Sequence, residues 1–126
     1  MKKWFDMGTQ GLMGLIFFVF GLNGFLHFIP EPDLSGDALN YMGGLSAAGY
    51  FFPVLKGVEV VAGFLLLIRK FPGLALVLLA PVVVQIFLFH VFLAPDGLVL
   101  AVPLLLIEAY LGIVVYADRF KGVLKA

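Results

Sequence analysis

Four long runs of apolar residues, separated by short segments that hold most of the charges, form the dominant pattern of this chain. The runs predict helices at roughly 8–29, 52–68, 74–93 and 98–116. Each predicted helix is close in length to the span of about 20 residues that crosses a bilayer at a rise of about 1.5 Å per residue. The pattern therefore predicts an all-α fold, an integral membrane four-helix bundle in contact with the lipid bilayer, formed by residues 1–126 as a single transmembrane domain.

The segment between the first two helices mixes acidic, glycine and apolar residues. Asp37 could cap a short helix that carries Leu39, Met42 and Leu45. Exposing these apolar side chains to water would be unfavourable. We therefore predict a partly ordered outer loop that lies on the membrane at the mouth of the bundle.

The basic residues predict the orientation of the bundle. The loops at one end, with the two termini, contain Lys2, Lys3, Arg69, Lys70, Arg119, Lys121 and Lys125, and the opposite loops contain no Lys or Arg but hold Glu31, Asp33, Asp37 and Asp96. Because cytoplasmic loops carry the excess of Lys and Arg, this bias predicts a multi-pass protein with both termini in the cytoplasm.

The composition supports a membrane protein and narrows its chemistry. Hydrophobic residues make up 63% of the chain, charged residues 13%, and the mean hydropathy is +1.12. The formal net charge is zero, which argues against nucleic-acid binding. The chain has no cysteine, so disulfides, thiolate metal sites and iron–sulfur clusters are excluded, and any redox chemistry would need a separate cofactor.

Polar side chains inside the apolar runs are the candidate functional residues, because such groups are costly in lipid unless they are paired or face a wet cavity. Every helix contributes at least one, and the set is Asn23, His27, Lys56, Glu59, Gln85, His90 and Glu108. Counted from the predicted outer end of each helix, their depths range from about 3 to about 15 Å. All seven residues therefore fall in the outer half of the membrane, which predicts an outward-facing polar pocket that they share.

Structural explanations remain open for several of these residues. Lys56 and Glu59, three positions apart, could simply neutralise each other, and histidines near helix ends could sit at the headgroup level. Gln85 and His90 are five positions apart, so both cannot point to one centre. We predict no metal site, because Lys56 supplies the compensating charge and no Glu-x-x-His spacing occurs, and we assign no catalytic residue.

Small residues in the first helix predict close helix packing. The glycines recur at three- and seven-residue spacings, a pattern that lets two helix backbones approach each other in a membrane. The predicted stripe consists of Gly11, Gly14, Gly21 and Gly24.

Three stretches resemble one family of bacterial membrane proteins. They are FLHFIPEP at 25–32, GYFFPVLKGVEVVAG at 49–63 and LAPVVVQIFLFHVFLAP at 79–95, and the chain is similar over nearly its whole length to the DoxX family. The resemblance implies a four-helix bundle in the bacterial inner (plasma) membrane, with a long loop after the first helix. Members are linked to quinol oxidase and to oxidative-stress complexes, but the absence of cysteine prevents transfer of thiol-based roles.

These observations lead to three functional hypotheses. The first is a non-enzymatic or accessory membrane protein whose polar pocket binds quinone or another amphiphile. The second is a structural or assembly subunit of a larger membrane or redox complex, which would include oligomers of this chain. The third is a small proton-coupled transporter or enzyme subunit with Glu59, His90 and Glu108 as relay groups.

Overall fold

Six α-helices account for most of the part of the chain that the structure describes. The computed structural model describes residues 2–29 and 34–121. The helices are α1 (Lys2–Leu26), α2 (Gly36–Ala47), α3 (Phe51–Ile68), α4 (Pro72–Phe92), α5 (Leu98–Tyr110) and α6 (Ala117–Phe120). A 3₁₀ turn, Pro95–Gly97, precedes α5, and a π-helical turn, Leu111–Val115, follows it. No strand occurs in these described ranges, and the predicted all-α class is confirmed.

Four segments are long and apolar enough to span a membrane. They are Lys2–Leu26, Phe51–Ile68, Pro72–Phe92 and Pro95–Val115, which confirms the predicted helical membrane bundle. The most extensive packing is between α1 and α3; α3 also packs on α4, α4 on α5, and α5 on α1. This ring of contacts closes the bundle. The orientation of the termini stays a prediction.

The two ends of the bundle differ in charge. The basic end holds the start of α1, the turn from α3 to α4, and α6; its described basic residues are Lys2, Lys3, Arg69, Lys70, Arg119 and Lys121. The acidic end holds α2 and the turn from α4 to α5, with Asp37 and Asp96. The remaining loop acids, Glu31 and Asp33, lie outside the described residues, as does Lys125 at the basic end.

Glycines bring α1 and α3 into close contact. A Cβ atom built on Gly14 would lie 2.9 Å from the carbonyl oxygen of Gly63, and one on Gly21 would lie 2.8 Å from the backbone nitrogen of Val60. The predicted stripe is therefore correct at these positions. Gly11 does not belong to it, because a Cβ there would meet no atom within 4 Å. On α3, Gly63 is the small residue that faces α1 at this contact, beside Gly14.

The helix boundaries depart most from prediction in α1. It starts at Lys2 instead of Gly8, so the helix continues beyond the apolar run through more polar residues at its start. It ends at Leu26 instead of Ile29, because His27 adopts a left-handed conformation with φ of 53°. The stop predicted at Pro30 lies outside the described residues.

The segment after α1 contains the short helix α2, which agrees with a partly ordered loop. Ser35, rather than Asp37, occupies the N-cap position, and Asp37 lies in the first turn, where an acidic side chain favours the helix dipole. Ala38 is buried, Met42 and Leu45 are half-buried, and Leu39 is exposed. The helix therefore turns only part of its apolar surface toward the bundle.

The core of the bundle extends from its middle toward the basic end. It consists of apolar side chains from all four spans, led by Met13, Phe17, Leu66, Leu76, Leu79, Val83, Leu104 and Leu111. Many large apolar side chains point outward, including Val77, Val99 and Ile113. Lipid rather than water is the compatible surrounding for this surface.

Candidate functional site

Lys56 and Glu59 form an ion pair where α3 packs against α1. Their positions three residues apart bring the Lys56 Nζ atom to 3.5 Å from the Glu59 Oε1 atom. The Glu59 side chain is 5% exposed and that of Lys56 25% exposed, so the lysine reaches toward the surface while the carboxylate stays inside. A Cβ atom on Gly24 would lie 2.2 Å from the Lys56 Cγ atom. The lysine stem therefore needs the glycine on α1 to occupy this position.

Asn23 and His27 shape the end of α1. The Asn23 Oδ1 atom accepts a hydrogen bond of 2.7 Å from the backbone N–H of Ile29, and the Asn23 carbonyl accepts the last helical bond, of 2.8 Å, from the N–H of His27. These bonds satisfy groups that a helix end leaves free. The His27 side chain is exposed and forms no hydrogen bond to a described residue. This geometry gives Asn23 a capping role.

Gln85 and His90 hold the acidic end of α4 against its neighbours. The Gln85 Nε2 atom donates to the Tyr41 hydroxyl of α2, and the Tyr41 and Phe89 rings lie 5.7 Å apart. The His90 Nδ1 atom lies 2.7 Å from the carbonyl oxygen of Ile86, which can only accept, so Nδ1 carries the proton. A Cβ on Gly97 would lie 1.9 Å from the His90 ring, which therefore packs on the turn into α5.

Glu108 occupies a different environment. Its Oε1 atom is buried and has no hydrogen-bond partner among the described residues. The side chain lines a cavity of about 550 Å³ between α4, α5 and the segment that follows, which we call the Glu108 cleft. The other lining residues are Leu76, Val77, Ala80, Ala109, Gly112, Ile113, Ala117, Phe120 and Lys121. The cleft is almost entirely apolar apart from Glu108 and Lys121.

The π-helical turn helps to form this cleft. The Tyr116 N–H donates to the Leu111 carbonyl over 2.8 Å, a bond that spans five residues instead of four. The turn begins three residues after Glu108 and contains Gly112, where an added Cβ would meet no atom within 4 Å. A wider turn and a missing side chain both leave space beside Glu108.

The predicted residues are divided between the two halves of the bundle. Lys56 and Glu59 lie in the half of α3 nearer the acidic end, whereas Glu108 faces Leu76 and Ala80 in the half of α4 nearer the basic end. Neither histidine lines the Glu108 cleft. The Glu108 cleft is thus separate from both histidines, and an outer-half cavity that Glu108 shares with His27 and His90 stays a prediction. Its position along the predicted helix placed Glu108 near the middle of the membrane. The packing of α5 on α4 brings it beside the half of α4 nearer the basic end.

A second polar cluster, which the sequence analysis missed, lies at the basic end. Gln10 is 2% exposed; its Nε2 atom donates to the Leu66 carbonyl over 3.1 Å, and its Oε1 atom accepts from the Tyr116 hydroxyl over 2.5 Å. The Tyr110 hydroxyl donates to the Asp6 carboxylate. The sequence does indicate that Gln10 is buried, because it lies three positions before Met13 and therefore on the same face of α1.

The described side chains contain no group of three or more His, Asp or Glu residues close enough to hold a metal ion. Glu59, His90 and Glu108, the predicted relay groups, lie in three separate environments and form no direct hydrogen bond with one another. No protein-family model, curated protein or solved structure matches this chain. Membership of the DoxX family stays a prediction, and so does a bacterial inner-membrane location.

Proposed function

We propose that this protein binds an amphiphile of the quinone class in the Glu108 cleft, with the polar head at Glu108 and the apolar tail directed toward the bilayer. The single observation that carries the proposal is the buried Oε1 atom of Glu108 without a hydrogen-bond partner in the described chain. A buried polar atom without a partner costs about 1–3 kcal/mol, and a ligand that bonds to it would recover that free energy.

The dimensions and lining of the cleft fit such a ligand. Its volume of about 550 Å³ falls in the usual range for small-molecule sites. Val77 and Ile113 line it and are 54% and 75% exposed on the bundle surface, so a tail can leave sideways into lipid. This lateral opening favours a membrane-dissolved molecule over a water-soluble one.

The chemistry of a carboxyl group suits both redox forms of a quinone. A protonated carboxyl group donates a hydrogen bond to a quinone carbonyl, and an ionised one accepts a hydrogen bond from a quinol hydroxyl. Lys121 lies at the mouth of the cleft and pairs with Asp118 at 2.9 Å. Its ammonium group is a further donor for a carbonyl oxygen.

Copurification tests this proposal. Wild-type protein, Glu108→Leu and the control Asp96→Asn are purified in parallel, and quinone in organic extracts is measured by liquid chromatography and mass spectrometry. Asp96 is a suitable control because its side chain is exposed at the other end of the bundle and does not line the cleft. We expect Glu108→Leu to retain about tenfold less quinone, the effect of losing one well-placed hydrogen bond, and the control to retain the wild-type amount. Equal amounts in all three proteins would contradict the proposal.

The Lys56–Glu59 pair supports a second candidate, a structural or assembly subunit. A paired carboxylate between two tightly packed helices has its partner already and needs no ligand. If the pair serves only to hold the helices together, a variant with Lys56 and Glu59 both replaced by apolar residues should fold. It should also still copurify with any partner protein. Loss of partner recovery in such a folded variant would contradict the purely structural role of the pair.

A further inference from the structure

A second cavity, which shares no lining residue with the Glu108 cleft, opens at the basic end of the bundle. Its volume is about 320 Å³, and we call it the basic cavity. Its polar lining consists of Lys2, Lys3, Asp6, Gln10, Arg69 and Tyr116. Three basic side chains therefore surround a space that contains one carboxylate.

The charges of this cavity are not balanced within the described chain. None of the three basic side chains forms an ion pair with a described carboxylate, and Asp6 accepts its hydrogen bond from Tyr110. Gln10 and Tyr116 are bonded to each other and form a fixed polar wall. The three basic side chains against one carboxylate give the space a net positive charge, which favours an anion.

The start of α1 adds to the positive potential. Its first turn contains two lysines and no acidic residue, although the free N–H groups of a helix N-terminus favour negative charge. Arg69 ends α3 with φ of 61°, in a position where glycine is the usual residue. An arginine in this position directs a guanidinium group, which can bond to two oxygen atoms of a phosphate at once, to the cavity.

Exposed aromatic side chains place this cavity at the membrane surface. Trp4 is 74% and Phe71 67% exposed, and each lies within two positions of a lining residue, Lys3 or Arg69. Tryptophan prefers the interface between hydrocarbon and water, where lipid headgroups lie. We propose that the basic cavity binds the phosphate group of an anionic phospholipid, with Arg69 as the principal contact and Lys2 and Lys3 as supporting charges.

Matched neutralising substitutions test this site. Arg69→Asn removes the guanidinium group with a residue that tolerates a left-handed backbone, and Lys70→Asn removes the same charge from a neighbour that does not line the cavity. Binding of phosphatidylglycerol to the purified protein in phosphatidylcholine nanodiscs is measured by titration and mass spectrometry. We expect Arg69→Asn to weaken binding about tenfold more than Lys70→Asn, the effect of losing a charge-assisted contact.

Two further arms distinguish the alternatives. The double variant Lys2→Gln/Lys3→Gln changes exposed residues of the first turn and should fold normally, and we expect it to weaken phosphatidylglycerol binding as well. Equal effects of Arg69→Asn and Lys70→Asn would overturn the site in favour of general surface attraction. Displacement of the lipid by a large excess of inorganic phosphate would overturn the assignment to a lipid headgroup.

Discussion

Two of the helix interfaces of this protein each contain a glutamate with a buried carboxylate oxygen, and the surroundings of the two glutamates differ. Between α1 and α3, Glu59 is paired with Lys56 and enclosed by tightly packed backbones. Between α4 and α5, Glu108 has a buried oxygen without a described partner beside an open cleft. The comparison separates a carboxylate that completes the fold from one that is available to a ligand.

The packing residues explain the difference. Gly14, Gly21 and Gly63 remove the side chains that would separate α1 from α3, so no space remains for a foreign molecule. The other interface has a proline inside each helix, Pro81 and Pro103, and the π-helical turn after α5. The π-helical turn and the missing side chain of Gly112 leave space beside Glu108, and the cleft occupies this space.

Breaking the pair should produce the largest effect. Glu59→Leu leaves the Lys56 ammonium group without its partner, and we expect the free energy of unfolding in mixed micelles to fall by about 3 kcal/mol. This is the lower end of the range for buried pairs, because Lys56 is partly exposed. The double variant Lys56→Met/Glu59→Leu should recover most of the loss. A double variant as unstable as the single one would show that the pair is needed for more than charge balance.

Separating the α1–α3 backbones should cost slightly less. In Gly63→Ala the new methyl group would lie 2.5 Å from the backbone nitrogen of Phe18 and 2.8 Å from the carbonyl oxygen of Gly14, so the helices must move apart. We expect destabilisation by about 2–3 kcal/mol in the same unfolding assay. Gly57→Ala is the control, because its Cβ would meet no atom within 4 Å. It should be neutral or stabilising by up to about 1 kcal/mol; similar losses for both variants would contradict the close approach.

The polar cluster at the basic end should give a smaller effect. Tyr116→Phe removes the hydroxyl group that donates to Gln10 and leaves a buried amide oxygen without its partner. We expect a loss of about 1–2 kcal/mol in unfolding free energy. Tyr50→Phe, at a residue that is 69% exposed, should change it by less than about 0.5 kcal/mol. An unchanged stability in Tyr116→Phe would mean that the Gln10 oxygen finds another partner.

Much of the fold could be predicted, because hydrophobic length determines which segments can cross a bilayer. The four spans were predicted within a few residues, except at the start of α1. Hydropathy marks the part of a helix that lies in lipid and says little about where the helix itself ends. No local pattern in the sequence predicts the left-handed conformation of His27 or the π-helical turn.

The candidate site was predicted less well. The Lys56–Glu59 pair followed from spacing along one helix, and the glycine contacts followed from a repeat in α1. The environment of Glu108 could not be predicted from spacing, because it depends on how α5 is rotated and tilted against α4. Gln10 was overlooked near the start of the first apolar run, although its spacing from Met13 and Phe17 marks the buried face.

The most direct test of the distinction between Glu59 and Glu108 is the thermal midpoint of wild-type and Glu108→Leu protein, each with and without added decylubiquinone. Without ligand, the leucine should raise the stability by about 1 kcal/mol, because it removes a buried oxygen that lacks a described partner. With ligand, the wild-type midpoint should rise and that of Glu108→Leu should stay unchanged. A less stable Glu108→Leu protein that the ligand still protects would contradict the assignment of Glu108 to ligand binding.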